Sequence, residues 1–189
     1  MDYSASNLLD TLLRLDPRRT AEAPRDARGL YGLIDHLGSL RYIGSTSSTT
    51  QSLYERIHQR HRTGSEGMSH YFSHMYNVGR MWRDRRDTST KADGALAKAL
   101  RNAFIADHCR AVWIAIPDHL GIAALERAVL ASAPANATAW NRRAMAIYDE
   151  PIDLVDLTIG RLGWGPTETA ATERQRDRGA AKRVLRATR

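Results

Sequence analysis

Gly29-Leu30-Tyr31-Gly32-Leu33-Ile34 and, after a short polar break, Leu40-Arg41-Tyr42-Ile43-Gly44-Ser45 decide how this chain is read. Each stretch is a short apolar run carrying one tyrosine. Between them Asp35-His36-Leu37-Gly38-Ser39 holds turn formers, so the pattern predicts a β-hairpin. Side chains alternate faces along a strand, which puts Tyr42 and Gly44 on one face and Arg41 and Ile43 on the other. Two tyrosines on adjacent strands then come close, beside a glycine that leaves room for a large ligand to approach the backbone.

The triplet Gly29-Leu30-Tyr31, ten residues ahead of Tyr42-Ile43-Gly44-Ser45, resembles the signature of the GIY-YIG nuclease superfamily, with Leu30 in place of the central Ile. Short motifs match by chance, so the residues further along must bear on it.

After the hairpin, Ser52-x-x-Glu55 is a capping-box pattern that starts a helix. Leu53 and Ile57 are its core-facing pair, and Arg56 and Arg60 stand four apart on a neighbouring face. Members of the family place an arginine on this helix, followed four residues later by His or Tyr. Arg56 matches the arginine. The later position is Arg60, a departure from the pattern, with His58 and His61 nearby, so which histidine serves the site stays open.

Ala92 to His108 reads as a helix with Leu96, Leu100 and Phe104 as its stripe, joined by Ala99 and Ala103. Ala111 to Ile116, stopped by Pro117, reads as a buried third strand. Gly121 to Ala133 reads as a helix with Ile122, Leu125 and Val129 as its apolar face. Glu126 lies at the margin of that face, where a carboxylate can point into a cleft. The resemblance extends here too: the family carries a Glu on the helix after the third strand and an Asn roughly fifteen residues later, which Glu126 and Asn141 match. It covers about residues 29 to 142.

Outside that core, Leu8, Leu12 and Leu15 have helical spacing and Pro17 ends the helix, which packs on the domain or on a second copy. Residues 16 to 28 read as a linker. Residues 63 to 91 look like an insertion in which Phe72, Tyr76 and Trp82 alternate with Arg80, Arg83, Arg85 and Arg86, a mixture suited to phosphates and exposed bases. His70 and His74 have no further ligands at zinc-binding distances. Pro151 to Gly160 is apolar enough to pack. Gly160 to Pro166 reads as the end of the ordered part, and Thr167 to Arg189 as a mobile basic tail. The organisation expected is a helix and linker over 1–28, a nuclease-like domain over 29–145 and an extension over 146–189.

Composition sets outer bounds. Of 189 residues 42% are hydrophobic, enough for a core, while the net charge of +7 favours an anionic partner. No run of about eighteen apolar residues appears, and the start of the chain carries no secretory pattern. The single cysteine, Cys109, excludes an intramolecular disulfide and fits a reducing compartment. The chain reads as soluble and cytoplasmic.

The expected architecture is α/β, with a small, mostly antiparallel three-stranded sheet flanked by helices and helical extensions at both ends. The resemblance implies a metal-dependent endonuclease on DNA. Magnesium, or manganese in its place, would be held by Glu126, the one carboxylate named as ligand. Arg56 would hold a phosphate oxygen through its planar fork. Tyr31 would be the base and Tyr42 a positioning group, with His58 or His61 as an alternative base. Gly44 would permit close packing, and Asn141 would orient its loop. Compactness suits a restriction-type enzyme; a repair or mobile-element nuclease would look the same, and the choice between one copy and a homodimer stays open. A nucleic-acid-binding protein of this fold that does not cleave is the rival, with Arg60 in its favour.

Overall fold

A computed structural model describes residues 2–46, 50–64, 71–141 and 148–187 of the chain. His70 and Arg189, named above, lie outside them. The chain forms two compact units: residues 1–62 with 108–145, and residues 63–107 with 146–189.

The first unit is built on the hairpin. Strand β1 (Gly29–Ile34) pairs antiparallel with β2 (Leu40–Ser45) on one side and with β3 (Arg110–Ala115) on the other, giving the order β2-β1-β3. The fold class expected from the sequence is the one observed. The hairpin turn is held by Asp35, a buried carboxylate that accepts from the Leu37 and Ser39 amides and from Arg41 Nε at 2.8 Å. A carboxylate is affordable at 0% side-chain exposure only because donors surround it.

The register fixes what each face carries. Tyr31 lies opposite Gly44, and Leu33 opposite Tyr42, so both tyrosines share a face. Leu30, Ile43, Val112 and Ile114 go to the other face, where they join Leu8, Leu9 and Leu12 of α1 (Ala5–Arg14) and Ile122 and Val129 of α4 (Ile122–Ser132) in one core. Each fully buried leucine is worth about 1.5–3 kcal/mol, so α1 is bound to this unit by its apolar stripe. The outer edge of β2 is closed by Trp140, whose amide donates to Arg41 O, and by Asn141. On the outer edge of β3, Arg18 exchanges two backbone hydrogen bonds with Ala111.

The second unit contains α2 (Tyr71–Met75), α3 (Lys91–His108, its last residue falling in the first unit), α5 (Ile152–Leu162) and α6 (Pro166–Ala187). It unites the 63–91 insertion with the C-terminal extension, which the sequence pattern had presented as separate pieces. Three further expectations are corrected here. The buried face of α3 is Gly94, Ala97, Leu100, Arg101, Phe104 and Ile105, with Ala99 exposed. The stripe is rotated because Arg101 is a core residue, its guanidinium donating to Asn77 Oδ1 and to Met81 O. The expected mobile tail is the long helix α6, held by Arg174 on Asp93 and Lys182 on Asp84. Acidic partners within the same unit occupy these basic side chains. Phe72 and Tyr76, expected among base-contacting aromatics, are core residues at 1% and 0% exposure, packed in line with Phe104.

No helix among the described residues is long and apolar enough to cross a membrane. Cys109 is fully buried.

Candidate active site

The helix that begins at the Ser52–Glu55 capping box forms as expected: the Glu55 amide donates to Ser52 Oγ, and the Ser52 amide to the Glu55 carboxylate. Its body, Glu55–His61, is π-helical. Hydrogen bonds in a π-helix run from residue i to i+5 rather than i+4, and the wider turn brings His61 round toward the side of the helix that carries Arg56. Arg60 is exposed. His61 is fully buried and its Nε2 lies 2.7 Å from the Tyr31 hydroxyl. The departure from the spaced arginine–histidine pattern is therefore absorbed by the backbone: the histidine is one residue late, and the wider turn returns it to the site.

Arg56 reaches the same hydroxyl, with Nε at 3.3 Å. A guanidinium can only donate, so the phenol oxygen accepts from Arg56. The hydroxyl and His61 Nε2 share one hydrogen bond whose direction follows the imidazole tautomer: the phenol donates when Nε2 is unprotonated. Tyr42 completes the group, its ring centroid 6.1 Å from Tyr31 and 5.1 Å from His61.

Gly44 permits the close packing expected of it. A Cβ at this position would fall 2.7 Å from the Tyr31 hydroxyl and 2.7 Å from a ring carbon of Tyr42. What approaches the backbone closely is the tyrosine pair itself.

The electrostatics of the three groups are linked. Burial pushes the Tyr31 phenol well above its ordinary range, the neighbouring Tyr42 adds to this, and Arg56 opposes it; Glu126 is a further upward influence. At neutral pH Tyr31 is thus a protonated phenol. Burial would weaken the Arg56 charge, but Tyr31, Tyr42 and Glu126 outweigh it and raise its affinity for the proton. Glu126 acts on both groups although it sits on α4, on the opposite face of the sheet. It is half-buried, and it is tied to the end of β2 by Ser45, whose hydroxyl donates to Oε2 at 2.6 Å. Ser45 carried no signal beyond closing the second motif.

The other expected site residues divide as follows. Asn141 uses its side-chain amide as a short strand would, accepting from the Ile43 amide at 3.1 Å and donating to the Ile43 carbonyl at 2.6 Å. It caps the β2 edge and so ties its own loop to that strand. His58 is turned away from Tyr31: its Nδ1 is 3.0 Å from Thr20 Oγ1 and its ring lies against Tyr54. Arg80 is not a solvent-facing cation. At 6% exposure its Nε bonds Glu150 at 2.5 Å, its Nη1 bonds Asp156 at 2.5 Å, and Glu173 lies at 3.8 Å. Arg83 is half-buried along Gly94, while Arg85 and Arg86 are exposed.

Among the described residues no group of three or more His, Cys, Asp or Glu is placed to share a metal ion. A magnesium site needs no such cage, since one carboxylate, substrate oxygens and water suffice. Glu126 fits that requirement: Oε2 is engaged by Ser45, and the carboxylate is half-open to solvent.

No family model, no curated protein and no solved structure matches the chain.

Proposed function

We propose that this protein is an endonuclease of the GIY-YIG type that hydrolyses DNA phosphodiester bonds at the Tyr31–Arg56–His61–Glu126 site. The observation that carries the reading is the convergence of Arg56 and His61 on the Tyr31 hydroxyl, with Glu126 in electrostatic reach of both Tyr31 and Arg56. A buried hairpin with two tyrosines is common. A buried phenol held between a charged donor and an imidazole, with a carboxylate in electrostatic reach, is the kind of perturbed cluster that concentrates at functional sites.

Hydrolysis of a phosphodiester requires an activated water, a partner for the charge growing on phosphorus, and departure of an oxygen. Tyr31 and His61 are fully buried while Arg56 is half-exposed, so a phosphate enters along Arg56. Among the described residues Tyr31 is the hydrogen-bond partner of the Arg56 guanidinium, through Nε. Its two Nη groups are available for a non-bridging oxygen, a contact that strengthens as charge develops.

The phenol is too basic to lose its proton unaided at neutral pH, and His61 answers this. As water attacks phosphorus, its proton passes to the Tyr31 oxygen while the Tyr31 proton moves to His61 Nε2. The bond to the leaving oxygen breaks, and that oxygen takes a proton from solvent. Magnesium or manganese on Glu126 would supply Lewis-acid polarisation of the phosphate and stabilise the leaving oxygen.

The net charge of +7 supports an anionic substrate. The test is cleavage of supercoiled plasmid in magnesium, with and without chelator, for wild type and Glu126→Ala. Discrete linear fragments lost in both controls support a site-selective, restriction-type nuclease, and nicking supports a structure-directed one. Salt-sensitive binding without cleavage overturns the catalytic reading and leaves a DNA-binding protein.

A further inference from the structure

We propose that Ser45 is a positioning residue for Glu126, fixing its carboxylate so that one oxygen is presented to a divalent cation; the proposal rests on the nuclease reading above. The hydroxyl donates to Glu126 Oε2 at 2.6 Å, within the range of charge-assisted O–H···O⁻ bonds. Ser45 is itself 5% exposed, so the contact is shielded from competing water.

Its backbone is anchored on both sides. Ser45 pairs with Leu30 at the end of β2. The next residue, Thr46, donates its amide to Gly29 O at 3.0 Å and accepts from the Gly29 amide on Oγ1 at 2.8 Å. Glu126 is anchored through α4, whose Ile122 and Val129 are buried on the sheet. Two rigid elements therefore meet through one hydroxyl–carboxylate bond.

Strand alternation explains why the residue after the Tyr-Ile-Gly triplet has this task. Gly44 faces the tyrosines, so Ser45 faces α4. The single strand end thus sets the phenol on one side and the carboxylate on the other. With no group of three or more His, Cys, Asp or Glu placed to share an ion among the described residues, orientation of the Glu126 carboxylate falls to this bond. Hydrogen bonds that orient a ligating carboxylate are typically worth 10–100-fold in metal affinity.

The experiment is binding of Mn²⁺ to the free protein, followed by water-proton relaxation, for wild type, Ser45→Ala, Ser45→Thr and Glu126→Ala. Glu126→Ala should abolish the site, Ser45→Ala should weaken it about 10–100-fold, and Ser45→Thr should restore it. In a magnesium titration of plasmid cleavage, Ser45→Ala should raise the half-maximal concentration by the same factor while changing the saturated rate far less. Should alanine lower the melting temperature, Ser45→Cys, of similar size but a weak donor, repeats the test with the same expected loss. Wild-type Mn²⁺ affinity in Ser45→Ala or Ser45→Cys, with binding lost in Glu126→Ala, overturns the role of Ser45 and leaves the nuclease reading intact. Absence of Glu126-dependent Mn²⁺ binding in the wild type overturns both.

Discussion

Arg56 and His61, five positions apart, address the same atom: the Tyr31 hydroxyl oxygen is 3.3 Å from Arg56 Nε and 2.7 Å from His61 Nε2. In an α-helix the residue stacked over Arg56 would be Arg60, a second cation with no use for a phenol proton. The π-helical stretch Glu55–His61 exchanges it for an imidazole. Single π-turns are rare and concentrate at functional sites, and this one carries both groups that meet the Tyr31 hydroxyl.

A deletion tests that geometry. Removing Arg60, an exposed residue, brings the histidine to four residues after Arg56 and lets the segment close as an α-helix. The deleted protein should fold, keep the Tyr31–histidine contact and retain cleavage within about tenfold, whereas His61→Ala should lose about 10²–10⁴ of the rate. A deletion that is as inactive as His61→Ala would show that the wide turn has a role beyond register.

Gly44→Ala should be far worse than an added methyl group suggests. Its Cβ would lie 2.7 Å from the Tyr31 hydroxyl, with both tyrosine rings walled in. Overpacking of this kind costs about 1–3 kcal/mol, and here it also displaces the phenol. Thermal melting should fall and cleavage should drop beyond what the lost stability explains; a variant with wild-type melting and rate would contradict the packing described.

The hairpin, the third strand and the flanking helices were legible because alternation, helical stripes, caps and prolines act locally. Local signals assigned Tyr31 and Tyr42 to the hairpin strands and Arg56 and Glu126 to helices, whereas their roles came from the resemblance. Three things were not legible, each for a physical reason. The choice between His58 and His61 stayed open because a helix is read at 3.6 residues per turn, and no local signal marks a π-turn. Ser45 was hidden because its partner is far along the chain, on a helix whose approach no periodicity encodes. Arg80 read as a phosphate-contacting cation because the carboxylates that neutralise it come from other elements. Among them, Glu150 and Asp156 follow Arg80 by 70 and 76 positions.

Arg80→Ala should act on stability rather than on DNA affinity. It leaves Glu150, whose side chain is 8% exposed, without its buried partner, a loss of about 3–5 kcal/mol for pairs of this kind. Urea unfolding should show the second unit weakened or unfolded, while Arg85→Ala and Arg86→Ala leave stability within about 0.5 kcal/mol. A stable Arg80→Ala protein with weakened DNA binding would reverse the assignment.

His58 should give the fold an acid-side weakness. Partial burial, then Arg62 and Arg25, holds its imidazole down to about 4, whereas an unfolded histidine titrates near about 6.5. Between these values the unfolded chain binds more protons, so stability is complete above about pH 6.5 and declines as the pH falls toward 4. His58→Asn, which keeps an acceptor or donor near Thr20, should flatten that decline in urea midpoints measured from pH 7.5 to 4.5. An unchanged slope would mean that other groups govern it.

The most direct test of the account is the single-turnover cleavage rate of Tyr31→Phe at saturating magnesium, set beside its affinity for the same DNA duplex. The substitution removes one oxygen from between Arg56 and His61 and keeps the ring packed over Gly44. The account predicts wild-type affinity with a rate lower by about 10²–10⁴. A Tyr31→Phe protein that cuts as fast as wild type would contradict it, because the shared hydroxyl would then have no part in the chemistry.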